Sequence, residues 1–133
     1  MTDDVSLLRL YLMRGVFLLN FAVLGSDVWP TLLSHPEPWD PVESAAYGFW
    51  AALSLLSLLG LMYPLKMLPI LLFQFSYKAI WLLAVALPSW SAFQAIELTK
   101  IMFFGLVIDA LVIPWAFVVR NYVKAPGDRW KAR

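Results

Sequence analysis

The 133-residue chain contains no cysteine and one histidine, His35. Without thiols there is no disulfide, no thiol chemistry, no iron–sulfur cluster and no thiolate-bound metal. One imidazole is too few for a multi-histidine metal site or for haem held from both faces. Charge is scarce as well: Asp, Glu, Lys and Arg make up 14% of the residues and sum to +1. A nucleic-acid partner needs a basic face, which this balance does not supply. No metal, no cofactor and no catalytic residue set is expected. There is also no internal repeat, low-complexity segment or linker, so residues 1–133 read as a single domain.

Apolar residues fill the space that these leave. They make up 62% of the chain, and the mean hydropathy is +0.74. Soluble domains are about 45–50% apolar, and a soluble protein this short has no core large enough to hide the excess. With lipid as the solvent that difficulty disappears. Four apolar runs are expected to cross a bilayer: residues 7–29, stopped by Trp29-Pro30; 45–63; 66–87, closed by Pro88; and 95–119, followed by a basic tail over 120–133. Each has close to the ~20 residues that span a ~30 Å hydrocarbon layer. Lipid offers no partner for backbone groups, so the runs are helices and the fold class is all-α, an integral membrane four-helix transmembrane bundle. Val23 and Gly25 before Ser26 loosely fit a leader-cleavage pattern. The apolar run there is too long for the core of a typical leader, so it reads as a retained helix.

Local signals support the boundaries. Asp40-Pro41-Val42-Glu43 supplies an N-cap, a first-turn proline and an acidic third position, so the second helix starts before its hydrocarbon edge. Ser91 with Gln94 gives a similar start for the fourth. The turn Tyr63-Pro64-Leu65-Lys66 is short enough to force the second and third helices into an antiparallel hairpin, and Pro69 falls in the first turn of the third, where it is tolerated. The loop 29–44 carries Glu37, Asp40 and Glu43 and no Lys or Arg, whereas Arg9, Arg14, Lys66, Arg120, Lys124, Arg129, Lys131 and Arg133 fall on the other side. The basic side is the cytoplasmic one, which places both termini inside. The basic composition of the tail suits contact with anionic lipid or with solvent alike.

The main functional clue is a set of polar residues deep in the spans. At ~1.5 Å per residue, Asn20 and Lys78 lie roughly 18 Å from the cytoplasmic end, Asp109 roughly 16 Å and Ser54 roughly 14 Å. Every helix thus places a polar group near the middle of the layer. Helical periodicity puts Gln74 and Lys78 on one face, Arg9, Asn20 and Asp27 on one stripe, and Asp109 on a stripe with Met102 and Arg120. A lone charge at that depth costs from about 2.5 to above 10 kcal/mol, so Lys78 is expected to pair with Asp109, with hydrogen bonds from Asn20 and Gln74. Pro114 leaves the carbonyl of Ala110 without its helical donor, open to a water, a cation or Lys78. The cluster Lys78, Asp109, Asn20, Gln74 and Ser54 is the candidate binding or transport site. The plainer reading is that a buried pair fixes helix register.

Other charges say less. Arg14 is near enough to the inner end to snorkel to headgroups. Glu97 and Lys100 are spaced to pair. Asp27 and Glu97 read as solvated or as an outer mouth, and His35 as a loop residue. Phe73, Phe75, Tyr77 and Trp81 flank Lys78 and either line a ligand pocket or fill packing gaps. Small residues at Gly48/Ala52 and Gly105/Ala116 suit close helix contact and suggest a homo-oligomer, a dimer first, or a partner membrane protein.

Leu8-Arg9-Leu10, then Gly15-Val16-Phe17-Leu18 and Gly25, resemble the first helix of DoxX-like proteins, small four-helix bacterial membrane proteins. The resemblance covers about one fifth of the chain. It implies four helices and a bacterial inner (plasma) membrane. That family's first helix often has a lysine where Asp27 stands here, and its second helix an acidic residue that is missing here, so no functional residue carries over.

Three functions fit. The first is a transporter or channel-like protein for a proton, an ion or a small polar solute, which needs polar groups near the midplane with access from both sides. The second is a non-catalytic accessory or assembly subunit of a larger membrane complex. The third, an enzyme acting on a lipid-like or quinone-like substrate with Asp109 and Lys78 as acid and base, ranks last because no nucleophile, metal or thiol accompanies them.

Overall fold

The computed structural model describes residues 5–35 and 38–132. Pro36 and Glu37 of the acidic loop and Arg133 of the tail lie outside the described residues. Among the described residues the chain is all-helical, with no strand. Three helices are long and apolar enough to cross a membrane: α1 (Leu7–Leu33), α2 (Pro41–Met62) and α3 (Leu68–Ala86). A short helix, α4 (Trp90–Phe93), follows. The last helical stretch is a bent pair, α5 (Glu97–Val112) and α6 (Trp115–Val123), which meet at 73°.

The proline signals sort by position. At the start of α2, the Asp40 side chain accepts from the Glu43 amide at 3.0 Å, and Pro41 occupies the first helical position. Pro69 sits in the first turn of α3, as its spacing predicts. Pro30 does not stop α1. The helix runs one turn further, to Leu33, closing on a bond from the Ser34 amide to the Pro30 carbonyl. Two hydroxyls give the polar groups there extra partners: Thr31 Oγ1 donates to the Asp27 carbonyl at 2.9 Å and Ser34 Oγ to the Pro30 carbonyl at 2.6 Å.

The fourth run departs furthest from expectation. Ser91 and Gln94 belong to α4 and the residue that ends it, not to the start of α5, whose N-cap position is Ile96 with no side-chain bond. The expected straight helix over 95–119 is broken at Ile113-Pro114. A residue before proline is pushed out of the helical region, and Ile113 takes an extended φ of −61° and ψ of 129°. With Arg120 beyond the break, it no longer shares a helical stripe with Asp109. Asp109 itself sits one turn before the break.

The apolar core gathers where the first half of α1 meets the start of α3 and the break. Met13, Val16, Phe17, Leu68, Leu71, Val112, Ile113 and Val118 form one cluster. Helix α2 closes against α1 through Gly60, where any side chain would overlap the Phe17 ring, and through Ser54, whose Oγ lies 2.6 Å from where a Cβ on Gly25 would stand. Large apolar side chains are exposed along every long helix, among them Leu18, Phe49, Leu58, Phe73, Ile80, Phe104 and Leu111. Such a surface suits lipid better than water.

Candidate functional site

Three residues of the core have a polar residue one turn away on the same helix. Phe17 is followed by Asn20 on α1, Leu71 by Gln74 on α3, and Val112 is preceded by Asp109 on α5. Residues three apart share a helix face, so the polar three lie above the apolar three as a second layer.

They are joined in one chain. Asn20 Nδ2 donates to Gln74 Oε1 at 2.6 Å, and Gln74 Nε2 donates to Asp109 Oδ1 at 2.7 Å. Lys78 Nζ reaches Asp109 Oδ2 at 3.1 Å as a salt bridge. Both carboxylate oxygens are therefore engaged, one by an amide and one by an ammonium, which suits the ionised acid. Asp109 is 1% exposed and the Lys78 side chain 13%. The pairing of Lys78 with Asp109 expected from the sequence is found, with Gln74 bonded to the carboxylate and Asn20 reaching it only through Gln74.

Gly105 makes the pair possible. A Cβ there would lie 2.6 Å from Lys78 Nζ and 3.1 Å from its Cε. The lysine therefore lies across the bare backbone of α5, one turn from Asp109. The glycine admits a side chain of its own chain, not a neighbouring helix. Ala116 lies beyond the break, so Gly105 and Ala116 do not form the shared contact face that the sequence suggested. Gly48 meets nothing within 4 Å, and Ala52 beside it is exposed.

Ser54 is not in the chain. It is buried, and its Oγ points to the Phe21 carbonyl at a long 3.4 Å. Ser57, one turn on, is also buried, with no partner for its hydroxyl among the described residues. No protein-family model, curated protein or solved structure matches this chain.

Several contacts were missed by sequence reasoning, and all involve backbone carbonyls. Proline at 114 removes the helical donor to Ala110, and the break removes those to Leu111 and Val112. Trp115 Nε1 takes the Ala110 carbonyl at 2.8 Å, the place expected for a water, a cation or Lys78. Arg9 takes the other two through one amino group, bonding the Leu111 and Val112 carbonyls. Arg14 does not snorkel free: its Nε donates to the Leu61 carbonyl at 2.8 Å, near the end of α2. Basic residues near helix ends do suit the C-terminal carbonyls of neighbours, but nothing in the sequence says which neighbour. Glu97 and Lys100 form no ion pair among the described residues.

The aromatics flanking Lys78 do different work. Phe75 packs edge-on against Trp115 and Trp81 against Phe93, so these two fill gaps between helices. Phe73 and Tyr77 lie against each other and line a cavity of about 280 Å³ with Phe49, Trp50, Leu53 and Met102. His35 stacks on Trp39 at 3.7 Å, and Trp39, Tyr47 and Trp50 continue the row along the start of α2.

Proposed function

We propose that the protein is a four-span integral membrane protein of a bacterial inner membrane, with both termini in the cytoplasm, acting as a non-catalytic accessory or assembly subunit of a larger membrane complex. The observation that carries this reading is the closure of the polar chain on itself. Asp109 is 1% exposed and gives one oxygen to Gln74 and the other to Lys78. A cluster whose groups are spent on one another holds helices in register and leaves little for a passing solute. Embedding is supported by the three long apolar helices and the bent pair. The bacterial setting is supported by the likeness of the first helix to DoxX-like proteins, and the orientation by the basic residues on one side. The exposed Gly48 and Ala52 offer a second copy or a partner helix a close approach on α2.

A carrier for a proton, an ion or a small polar solute is the second reading. One observation favours it: the Lys78 side chain keeps 13% exposure. Such a carrier would have to part Lys78 from Asp109 during its cycle.

Two measurements test these readings. Cysteine placed at Ser34, the exposed residue that ends α1, is expected to react with an impermeant thiol reagent added outside, while a cysteine at Ala132 stays protected. The reverse pattern would invert the topology. In liposomes the wild-type protein is expected to pass no proton or monovalent cation down a gradient. A flux that Asp109→Asn abolishes, in a variant that still folds, would put the carrier ahead.

A further inference from the structure

We propose that the inner end of the molecule carries a slot for the phosphate of an anionic phospholipid, built by Arg9 where α6 turns away from α5. The inference rests on the membrane reading above and adds a ligand to it. If α5 runs along the membrane normal, α6 lies about 17° from the membrane plane, the complement of the 73° bend. Its residues suit the headgroup layer: Trp115, Phe117 and Tyr122 are amphipathic or aromatic, and Arg120 is basic.

Arg9 stands at the corner. One amino group of its guanidinium is fixed by the Leu111 and Val112 carbonyls that the break exposes. Among the described residues no carboxylate pairs with Arg9, and nothing accepts from its Nε or its second amino group. A cavity of about 260 Å³ adjoins it, lined by Ser6, Arg9, Pro114, Trp115, Ala116 and Phe117. A guanidinium held on one side, with donors left over, matches the oxygens of a phosphate diester, and an anionic headgroup, unlike a zwitterionic one, brings no cation of its own to neutralise that phosphate. The tail beyond α6 brings Lys124, Arg129, Lys131 and Arg133 against one acid, Asp128, which draws the region towards an anionic leaflet. The internal competitors are Asp3 and Asp4, which stand just before Val5 in the sequence.

The test uses the full-length protein in neutral detergent, titrated with phosphatidylglycerol, phosphatidylcholine or inorganic phosphate. Thermal stability and the number of lipids retained in native mass spectrometry are the readouts. Phosphatidylglycerol is expected to stay bound and to raise the melting temperature, and the other two are not. Arg9→Gln should weaken phosphatidylglycerol binding about tenfold, the scale of one charge-assisted contact. That variant also frees the α5 carbonyls, so Ala116→Leu, which fills the slot and leaves Arg9 in place, should weaken binding too. Replacing Lys124, Arg129 and Lys131 by glutamine should leave the retained lipid in place. Equal effects of the two lipids would overturn the proposal, as would stabilisation by inorganic phosphate alone. So would binding that survives Ala116→Leu but is lost with the tail charges, or binding seen only after Asp3→Asn and Asp4→Asn. Release of the protein from membranes by an alkaline wash would sink the membrane reading itself, and this proposal with it. Retention with no preference between lipids sinks the slot alone.

Discussion

Replacing Lys78 by methionine is expected to lower the unfolding free energy by about 3–5 kcal/mol, the cost of removing one partner from a buried ion pair. Asp109 Oδ2 has the Lys78 ammonium as its partner, and the residue is 1% exposed. Methionine has a similar length and no charge, so the carboxylate stays where it is with half its bonding gone. Gln74 still holds Oδ1, but an amide cannot balance the charge. Gly105→Val should act in the same direction by another route, since its Cβ would stand 2.6 Å from Lys78 Nζ and push the ammonium off the carboxylate. Equilibrium unfolding in bicelles, followed by tryptophan emission, measures both.

The second large effect is expected at Gly60. Any Cβ there overlaps three atoms of the Phe17 ring. The ring cannot retreat, because Phe17 is fully buried in a cluster with Met13, Val16, Leu68 and Leu71. Gly60→Val should therefore cost about 1–3 kcal/mol, as overfilled cores do. Phe17→Leu in the same chain should return part of the loss by making room. Gly48→Val is the contrast, because nothing lies within 4 Å of its Cβ position. An exposed site of that kind should change stability by about 0.5 kcal/mol or less. Equal losses at Gly48 and Gly60 would mean that α2 does not pack on α1 through Phe17.

What the sequence reveals follows from which interactions are periodic. Apolar runs of the right length mark α1, α2 and α3, because span length is a property of composition alone. Asp40 and Pro41 mark the start of α2, because a cap is local. The pairing of Lys78 with Asp109 is legible because two opposite charges in an apolar run have few other ways to be stable. The two prolines with helix on both sides show the limit. Pro30 and Pro114 look alike in sequence, yet α1 continues past the first and the chain turns by 73° at the second. The difference lies in what meets the released carbonyls. Trp115 and Arg9 supply donors that hold the bend at Pro114, and Arg9 is about a hundred residues away in the chain. Gly105 misleads for the same reason. A glycine in an apolar helix announces a close approach without saying whether it is a neighbouring helix or, as here, a lysine.

In the proposed reading the Lys78–Asp109 pair holds the helices in register. A double-mutant cycle on Lys78→Met and Asp109→Leu tests it most directly. The two single variants should each be strongly destabilised. The double variant should recover most of that loss, because removing both charges also removes the cost of burying them. Losses that simply add would contradict the account, since they would mean that the two groups do not stabilise one another.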